Sequence, residues 1–214
     1  RLAGAVLGGG RHFPALPGQM SATDLRPLEP PAPPDIRPAR GWVVLDRDGV
    51  INRDRADYVK SPEELVFLPG SLAAIAAFGR AGFSVVVATR QSGVGRGLLN
   101  AADLGAIHDR LQAEVSAAGG HLAGIFVCPH APDAGCACRK PRPGLLERMA
   151  HWAGIMPAQM IVVGDAARDL EAARAVGAPA VLVRTGHGEQ TLQQWSGPID
   201  VPVFADLAAF ARHW

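Results

Sequence analysis

Two aspartates stand two residues apart at the end of a short apolar run. Residues 42–52 read WVVLDRDGVIN and include Asp46 and Asp48. Asp and Gly are common turn residues, so the pair could be an ordinary turn. It could also be the centre of an active site, because neighbouring carboxylates can exchange protons with a substrate. The pair alone does not decide between the two.

A second group of residues has the spacing of metal ligands. All three cysteines of the chain and one histidine fall within residues 128–138, in the pattern Cys128-x-His130-x5-Cys136-x-Cys138. Three thiolates and one imidazole suit a closed tetrahedral Zn²⁺ site. The alternative is a disulfide with a spare thiol, which the odd number of cysteines disfavours. Four protein ligands leave no open position for a catalytic water, so we expect the zinc to be structural.

The alternation of apolar runs predicts the elements that must position these residues. Five β-branched runs are predicted strands, at residues 42–45, 83–88, 124–127, 160–163 and 180–183. Alanine-rich segments between them are predicted helices, near residues 72–81, 101–118, 144–152 and 168–176. Apolar strands separated by helices imply a parallel sheet covered on both faces. The expected fold is therefore a three-layer α/β/α, Rossmann-like domain.

Four of the segments that follow the predicted strands are rich in polar residues. They read DRDGVIN, TRQSGVGRG, CPHAPDAGCACRKPRPG and GDAARD. Any one of them could be a turn or a helix cap. In parallel sheets, however, ligands bind beyond the carboxyl ends of the strands, which meet at one edge. Four polar loops at that edge favour a catalytic site.

The residues at this edge resemble the four ordered motifs of the haloacid dehalogenase phosphatase superfamily. The matching positions are Asp46-x-Asp48-Gly49-Val50, Thr89, Lys140 and Gly164-Asp165-x3-Asp169. Longer stretches, LDRDGVIN, QSGVGRG, CPHAP with CACRKPRPG, and LVRTG, resemble the heptose bisphosphate phosphatases of the histidinol-phosphatase-like branch. The resemblance covers residues 42–188 and implies the haloacid dehalogenase type of fold with a zinc-binding loop.

The resemblance implies a role for each acidic residue. Asp46 would be the nucleophile that forms an aspartyl-phosphate, and Asp48 the general acid and base. The implied Mg²⁺ ligands are Asp46, the backbone carbonyl of Asp48, and Asp165, because a hard cation offsets the repulsion between a carboxylate and an anionic substrate. Asp169 would either steady the metal-bound waters or cap the following helix.

The resemblance also assigns the groups that stabilise the transferring phosphoryl. Thr89 would supply a hydroxyl and a backbone amide, and Lys140 an ammonium. Of the 21 basic residues only Lys60 and Lys140 are lysine, which indicates that position 140 requires a compact charge. The zinc site would stiffen the loop that presents Arg139 and Lys140 to the substrate.

Basic residues concentrate in the same loops of a nearly neutral chain. They are Arg47, Arg53, Arg55, Lys60, Arg90, Arg96, Arg139, Lys140 and Arg142. A local positive field of this kind suits a small-molecule sugar bisphosphate. Substrate contacts are expected from Arg139, Arg90, Gln91, Ser92, Asp54 and Tyr58.

Two positions depart from the family pattern. Arg90 stands where asparagine is usual, and Ala166 where serine or lysine is common. Neither change touches the expected nucleophile, acid or metal ligands, so we expect catalysis to survive and substrate affinity or preference to change. We hypothesise that Arg90 adds a phosphate contact; the alternative is that it points into solvent.

Three functions are compatible with these motifs. The first is removal of the C7 phosphate of a heptose 1,7-bisphosphate. The second is hydrolysis of histidinol phosphate, although enzymes of that kind usually read TNQDG where this chain reads TRQSG. The third is a non-catalytic, zinc-stabilised binding module, which the intact Asp46, Asp48, Lys140 and Asp165 disfavour.

Composition excludes several other classes. The chain has 214 residues, 48% of them hydrophobic, which is enough for one good core. A net charge of +1 and an aromatic content of 6% disfavour nucleic-acid binding. No apolar run approaches the roughly 20 residues that span a bilayer. We expect a monomeric, cytoplasmic enzyme with no membrane partner.

Proline is concentrated near the start of the chain. Eight of the 18 prolines lie in residues 14–38, a stretch with little apolar periodicity. Such a segment cannot bury enough surface to offset the entropy of folding. We therefore expect residues 1–40 to be a disordered leader and residues 41–214 to form the phosphatase domain.

Overall fold

The computed structural model describes residue 30, residues 40–196 and residues 199–214. The predicted leader, residues 1–40, lies outside the described residues except for residues 30 and 40. Within the described part, a six-stranded sheet carries helices on both faces. No helix in this part of the chain is long and apolar enough to cross a membrane.

All six strands of the sheet are parallel. The strands are β1 (Gly41–Leu45), β2 (Phe83–Arg90), β3 (Gly124–Cys128), β4 (Met160–Gly164), β5 (Ala180–Val183) and β6 (Val203–Phe204). Their order across the sheet is β3-β2-β1-β4-β5-β6. The five predicted strands are confirmed, and β1, which precedes the two aspartates, lies at the centre. The sixth strand, β6, pairs with β5 and forms one edge of the sheet.

The helices follow the strands in the order that the sequence predicts. They are α1 (Ser71–Arg80), α2 (Ser92–Gly95), α3 (Ala101–Ala117), α4 (Gly144–Ala153), α5 (Ala167–Val176), α6 (Gly188–Gln194) and α7 (Leu207–Ala211). Short 3₁₀ turns occupy Pro62–Glu64 and Pro157–Gln159. The short helices α2 and α6, which the periodicity does not predict, both begin in loops at the carboxyl edge of the sheet.

Alternating side chains of the strands divide the core into two layers. Val43 and Leu45 of β1 pack in the cluster that contains the apolar faces of α1, α3 and α7. Trp42 and Val44 point the other way and pack with α4 and α5. The predicted three-layer α/β/α architecture is therefore confirmed.

The N-terminus of α3 and the C-terminus of α5 are capped. The Asn100 side chain accepts a hydrogen bond from the Asp103 amide, and the Asp103 carboxylate accepts one from the Asn100 amide. Gly177 ends α5 with a left-handed conformation, which glycine adopts without a Cβ penalty. These caps fix where the two helices begin and end relative to the neighbouring strands.

Candidate active site

Asp46 lies directly after the central strand and is held by the sheet. Its backbone amide donates to the carbonyl of Val163 in β4 at 2.9 Å. The side chain is 5% exposed, and its Oδ1 accepts from the Arg47 amide at 2.9 Å. Oδ2 has no hydrogen-bond partner among the described residues. One oxygen of this carboxylate is thus anchored, and the other is available for chemistry.

Lys140 pairs with two of the aspartates. Its Nζ lies 2.6 Å from Asp169 Oδ1 and 3.3 Å from Asp46 Oδ1. Burial alone would lower the pKa of Lys140, but the charges of Asp169 and Asp46 outweigh it and raise the pKa. The ammonium is therefore charged beside the anchored oxygen of Asp46.

Asp169 has a cap function and also a second function that was not predicted. Its Oδ2 accepts from the amide of Ala166, the residue that caps α5, at 3.2 Å. Its Oδ1 accepts from Lys140, so both oxygens are occupied. Of the two roles expected for Asp169, the helix cap is present, and the lysine contact adds to it.

Three carboxylates and one ammonium form a compact buried cluster. Oxygens of Asp46, Asp165 and Asp169 lie within 4.8 Å of one another, and all three residues are buried. Asp165 Oδ2 accepts from the His187 amide at 2.8 Å, while Asp165 Oδ1 has no hydrogen-bond partner among the described residues. Lys140 and Arg168, whose NH2 lies 3.9 Å from Asp165 Oδ1, offset only part of the charge of three carboxylates, and a divalent cation would balance the rest.

The protonation of Asp165 reflects this excess of negative charge. Burial, followed by the charges of Asp46 and Asp169, raises the pKa of Asp165 to about 7. Burial is likewise the main cause of the raised pKa of Asp46. An orphaned, buried carboxylate oxygen next to a second carboxylate is a donor set that a hard cation prefers.

Two glycines enclose the Asp165 carboxylate. A Cβ placed on Gly49 would lie 2.0 Å from Asp165 Oδ2, and one on Gly186 would lie 2.1 Å from the same atom. Both glycines have positive φ, 83° and 57°. The backbone of each can therefore approach the carboxylate only because the residue lacks a side chain.

Asp48 is held by side chains on three sides. Arg47 NH2 donates to its two oxygens at 2.9 Å and 3.0 Å. Asn52 Nδ2 and Gln91 Nε2 each donate at 2.8 Å. Burial would raise the pKa of Asp48, but the charge of Arg47 and these hydrogen bonds outweigh it and lower the pKa. Asp48 is a charged carboxylate whose orientation is fixed by its neighbours.

Thr89 completes the centre of the site from β2. It is fully buried, and its Oγ1 accepts from Gln91 Nε2 at 2.9 Å. Because the amide nitrogen of Gln91 can only donate, the hydroxyl proton of Thr89 is directed elsewhere. Gln91, predicted to bind substrate, thus links Thr89 to Asp48 beneath the cavity.

A cavity of about 670 Å³ opens above Asp46 and Asp48 and is lined with arginine. The basic residues around it are Arg53, Arg55, Arg90, Arg96, Arg139 and Arg168. Other predicted cations lie elsewhere: Lys60 binds Asp57, and Arg142 donates to the Cys136 carbonyl. The predicted positive field is present, although built from a partly different set of residues.

Arg90 is a half-buried cation on the wall of this cavity. No carboxylate of the described residues forms an ion pair with it. Burial, followed by the charges of Arg168 and Arg139, lowers the pKa of Arg90. Arg139 likewise forms no ion pair with a carboxylate of the described residues, whereas Arg168 NH2 lies 3.9 Å from Asp165 Oδ1. Together the three guanidinium groups provide a site for an anion.

The remaining predicted substrate residues lie at the mouth of the cavity. Tyr58 has a positive φ of 67°, and its hydroxyl lies 3.5 Å from Ser92 Oγ. Asp54 pairs with His187, with 2.8 Å between Oδ2 and Nε2. Since His187 also holds Asp165 through its amide, this pair connects the mouth to the acidic cluster.

The cysteine and histidine side chains converge as predicted. Cys128 Sγ lies 3.7 Å from Cys136 Sγ, and Cys138 Sγ lies 3.3 Å from His130 Nδ1. All three cysteines are free, so the disulfide alternative is wrong. A tetrahedral site with Zn–S bonds of 2.3 Å has edges of about 3.8 Å, close to these separations. Hydrogen bonds, first that from Cys138, lower the pKa of Cys128 to about 5.

Comparisons with known proteins agree with this geometry. A family model described as HAD-hydrolase-like matches residues 137–210. The D-glycero-beta-D-manno-heptose-1,7-bisphosphate 7-phosphatase of Pseudomonas putida is 51% identical over 170 residues, covering 79% of this chain and 97% of that protein. The enzyme of the same name from Bordetella bronchiseptica is 48% identical over 170 residues, covering 79% of this chain and 95% of that protein. This chain belongs to the haloacid dehalogenase-like hydrolases.

A solved structure supports the same assignment. The crystal structure of D,D-heptose 1,7-bisphosphate phosphatase from B. bronchiseptica, complexed with magnesium and phosphate, aligns with a TM-score of 0.78 and 47% identity. The alignment covers 81% of this chain and 97% of that chain. The expected family and the enzyme class, a phosphoric monoester hydrolase, are confirmed.

Four residues at this hydrolase site were missed by the sequence analysis. Arg168 and His187 line the cavity, Gly186 encloses Asp165, and His108 contacts Arg47. Arg168 stands inside the GDAARD motif and Gly186 inside LVRTG, so both had a sequence signal. His108 lies in the middle of α3, where nothing in the local pattern distinguishes it from a core residue.

Proposed function

We propose that this chain is a Mg²⁺-dependent phosphatase that removes the C7 phosphate of D-glycero-β-D-manno-heptose 1,7-bisphosphate and leaves heptose 1-phosphate. The observation that carries the proposal is the position of Asp46. Its carboxylate lies beside Lys140 and Asp165 at the base of an arginine-lined cavity. The alignments with the relatives named for this activity cover 95% and 97% of those proteins. We further propose that residues 41–214 form the catalytic domain.

In the first half of the reaction, Asp46 attacks the C7 phosphorus. A bond forms between Asp46 Oδ2 and phosphorus, and the bond between phosphorus and the C7 oxygen breaks. Asp48, a carboxylate in the free protein, takes up a proton when the charge of the bound substrate raises its pKa, and gives that proton to the departing C7 oxygen. The products are heptose 1-phosphate and an aspartyl-phosphate on Asp46.

In the second half, water attacks the phosphorus of the aspartyl-phosphate. Asp48, now a carboxylate, takes a proton from that water, and the bond between phosphorus and Asp46 breaks. Inorganic phosphate leaves, and both aspartates return to their starting protonation. One residue acts as acid and then as base, so Asp48 must lie near Asp46. Arg47 holds both aspartates, Asp46 through its backbone amide and Asp48 through its guanidinium.

Lys140 and Thr89 stabilise the charge that spreads over the phosphoryl oxygens. Both are buried, so their interaction with a phosphoryl group is weakly screened by water. Asp169 keeps Lys140 charged and holds its ammonium in place. Phosphoryl transfer requires a positive charge that is held in a fixed position, which a flexible cation on the surface would not provide.

The acidic cluster fits a magnesium ion. Asp46, Asp165 and the Asp48 carbonyl would hold it. The observation that favours this assignment is the buried Asp165 Oδ1, which accepts no hydrogen bond from the described residues and lies 3.9 Å from Arg168 NH2. When bound, Mg²⁺ would neutralise charge on the substrate phosphate and on the carboxylates. Asp169 is a poorer ligand because both its oxygens are engaged.

The cysteine cluster fits a structural zinc ion held by Cys128, His130, Cys136 and Cys138. The four ligands would close the loop that precedes Arg139 and Lys140. A stiff loop places these two side chains at the cavity with little loss of conformational entropy on binding. Zinc therefore takes no part in the chemical step.

The preference for a bisphosphate follows from the arginines of the cavity wall. Asp46 and Lys140 engage the phosphate that is removed. Arg90, Arg139 and Arg168 lie around the same cavity and provide charge for the phosphate that remains. Arg90 is thus proposed as a contact to the C1 phosphate, as its departure from the family pattern suggests.

The test is phosphate release from purified protein with and without Mg²⁺. We expect turnover of the β anomer of heptose 1,7-bisphosphate, slower turnover of the α anomer, and little turnover of histidinol phosphate. Asp46→Asn should reduce the rate by at least about 1,000-fold, as loss of a nucleophile does elsewhere. Full activity in Asp46→Asn would refute the nucleophile, and faster turnover of histidinol phosphate would refute the substrate.

A further inference from the structure

Arg47 is an arginine whose side chain is fully shielded from solvent. It stands between the two catalytic aspartates in sequence, yet its side chain is 0% exposed and does not line the cavity. Its guanidinium forms a forked contact with Asp48, through Nε at 3.2 Å and NH2 at 2.9 Å to the same oxygen. A buried arginine normally requires such a carboxylate partner, because an unpaired charge is costly to desolvate.

Arg47, Asn52 and Gln91 hold both oxygens of Asp48 through hydrogen bonds. Arg47 donates three contacts, and Asn52 and Gln91 donate one each. The orientation of Asp48 is therefore determined mainly by the plane of the Arg47 guanidinium, because a forked contact fixes both the direction and the rotation of a carboxylate.

His108 fixes that plane from the opposite side. It comes from α3, and its Nε2 lies 3.4 Å from Arg47 NH1. A guanidinium can only donate, so Nε2 accepts, and the ring must be neutral. Burial, followed by the charge of Arg47, lowers the pKa of His108 to about 3, which agrees with a neutral ring. His108 is 6% exposed and has no access to the substrate cavity.

We propose that His108 is a positioning residue for acid–base catalysis, which fixes the guanidinium of Arg47 so that Arg47 directs the Asp48 carboxylate at the leaving group. The inference rests on the proposed function of Asp48. It assigns a role in the reaction to a helix residue outside the four polar loops. The chain of contacts runs from His108 in α3, through Arg47, to Asp48 in the loop after β1. Arg47 and His108 are 61 positions apart in the sequence.

The proposal makes a prediction that depends on the leaving group. When the ester bond to a sugar breaks, the departing alkoxide is a strong base and requires the proton of Asp48. When p-nitrophenyl phosphate is cleaved, p-nitrophenolate is a weak base and departs without that proton. A poorly oriented Asp48 therefore slows transfer from the sugar ester more than transfer from the aryl ester.

The experiment measures kcat/KM of the full chain for heptose 1,7-bisphosphate and for p-nitrophenyl phosphate. This constant reports the step in which Asp46 takes the phosphoryl group. For His108→Leu we expect a loss of about ten-fold or more with the sugar ester and at most about two-fold with the aryl ester. His108→Gln keeps an acceptor near the position of Nε2 and should recover most of the loss. Equal losses with both esters, or none, would overturn the proposal.

Three further variants keep the experiment decisive. Arg47→Lys retains the charge but not the fork, so it should give the same selective loss even if His108→Leu folds poorly. Asp109→Asn alters an exposed neighbour of His108 on α3 and should leave both constants unchanged. Asp46→Asn should abolish turnover of both esters. Turnover of both by Asp46→Asn would refute the proposed nucleophile and leave the inference about His108 to be decided by the ratio of the two losses.

A failure of the substrate assignment is also distinguishable. If wild-type protein cleaves p-nitrophenyl phosphate but not heptose 1,7-bisphosphate, the proposed substrate is wrong. The same comparison is then made with histidinol phosphate, whose leaving group is also an alkoxide. A selective loss with that ester in His108→Leu supports the positioning role, and an equal loss overturns it.

Discussion

Lys140 and Asp169 form a buried ion pair in which Nζ lies 2.6 Å from Oδ1. The two side chains are 1% and 0% exposed. The contact of Lys140 with Asp46 is longer, at 3.3 Å. Asp169 therefore holds the ammonium closer to itself than to Asp46, so that Asp46, the proposed nucleophile, keeps more of its negative charge.

The Lys140–Asp169 relationship predicts the effect of Asp169→Asn. Without the carboxylate, the ammonium would move toward Asp46 and neutralise it, so kcat should fall by about ten-fold or more. The neutral amide also leaves Lys140 with a weaker buried partner. Steady-state assays at saturating Mg²⁺ test this, and Glu171→Gln, an exposed acidic residue on the same helix, is the control. An unchanged kcat in Asp169→Asn would contradict the role of this pair.

The close approach of Gly49 to Asp165 predicts the effect of an added methyl group. Gly49→Ala would push the Asp165 carboxylate out of position, so the Mg²⁺ concentration for half-maximal activity should rise about 10- to 100-fold. Gly119→Ala is a matched control, because Gly119 also has a positive φ, 78° against 83°, but has open space where the Cβ would lie. Backbone strain is therefore similar in the two variants. A similar Mg²⁺ requirement in both would show that crowding of Asp165 is irrelevant.

Arg90→Asn should weaken the binding of a bisphosphate. Loss of a charge-assisted contact to the remaining phosphate should raise KM for heptose 1,7-bisphosphate by about ten-fold. The value of kcat should change little, because Arg90 is not among the groups that contact Asp46. Arg80→Asn removes the same charge from an exposed helix end and should leave KM unaltered. An unchanged or lower KM in Arg90→Asn would indicate that Arg90 points into solvent and does not contact the substrate.

His130→Ala should remove the zinc ion. Three cysteines cannot complete the tetrahedral set, so zinc content measured by atomic emission should fall from about one per chain to well below one. The unfolding temperature should fall by about 5 °C or more, and kcat should fall because the loop before Lys140 loses its brace. His121→Ala, at an exposed position after α3, is the control for removal of a histidine. Full zinc content in His130→Ala would exclude it as a ligand.

The buried His108 predicts a dependence of stability on pH. Its pKa is about 3 in the folded protein, against 6.5 ordinarily, so below pH 6.5 only the unfolded chain takes up the proton. Stability is therefore lost as the pH falls from 6.5 toward 3. Between pH 7.5 and 5.5 the wild type should lose about 1.4 kcal/mol more of its unfolding free energy than His108→Gln. Denaturant titrations test this, and His121→Gln should follow the wild type.

The part of the site that could be predicted is the part in which each residue follows its own strand. Asp46, Thr89 and Asp165 occur where an apolar run ends, and parallel strands bring such ends together without further information. The zinc ligands share one short segment, so their spacing alone predicts their convergence. Local sequence was sufficient in both cases.

The parts that could not be predicted depend on contacts between distant elements. His108 contacts Arg47 across 61 positions of the chain, and His187 contacts Asp54 across 133. These contacts follow from the packing of α3 and the β5–α6 loop against the loop after β1, which periodicity does not specify. Gln91 also makes contacts that its position in the sequence does not predict, because its Nε2 donates to Asp48 and Thr89 while the residue lines the cavity.

The hydrogen bond from the Asp46 amide to the Val163 carbonyl has a consequence for how enzymes of this design diversify. Asp46, the proposed nucleophile, is bonded to the central strands of the sheet, whereas Asp54 and Tyr58 lie in the loop after β1. Arg90 ends β2, and its side chain lies on the cavity wall. Side chains that line the cavity, such as Arg90, can therefore change in evolution without moving the Asp46 carboxylate. The residues proposed for catalysis and those proposed for substrate choice are therefore different sets of residues.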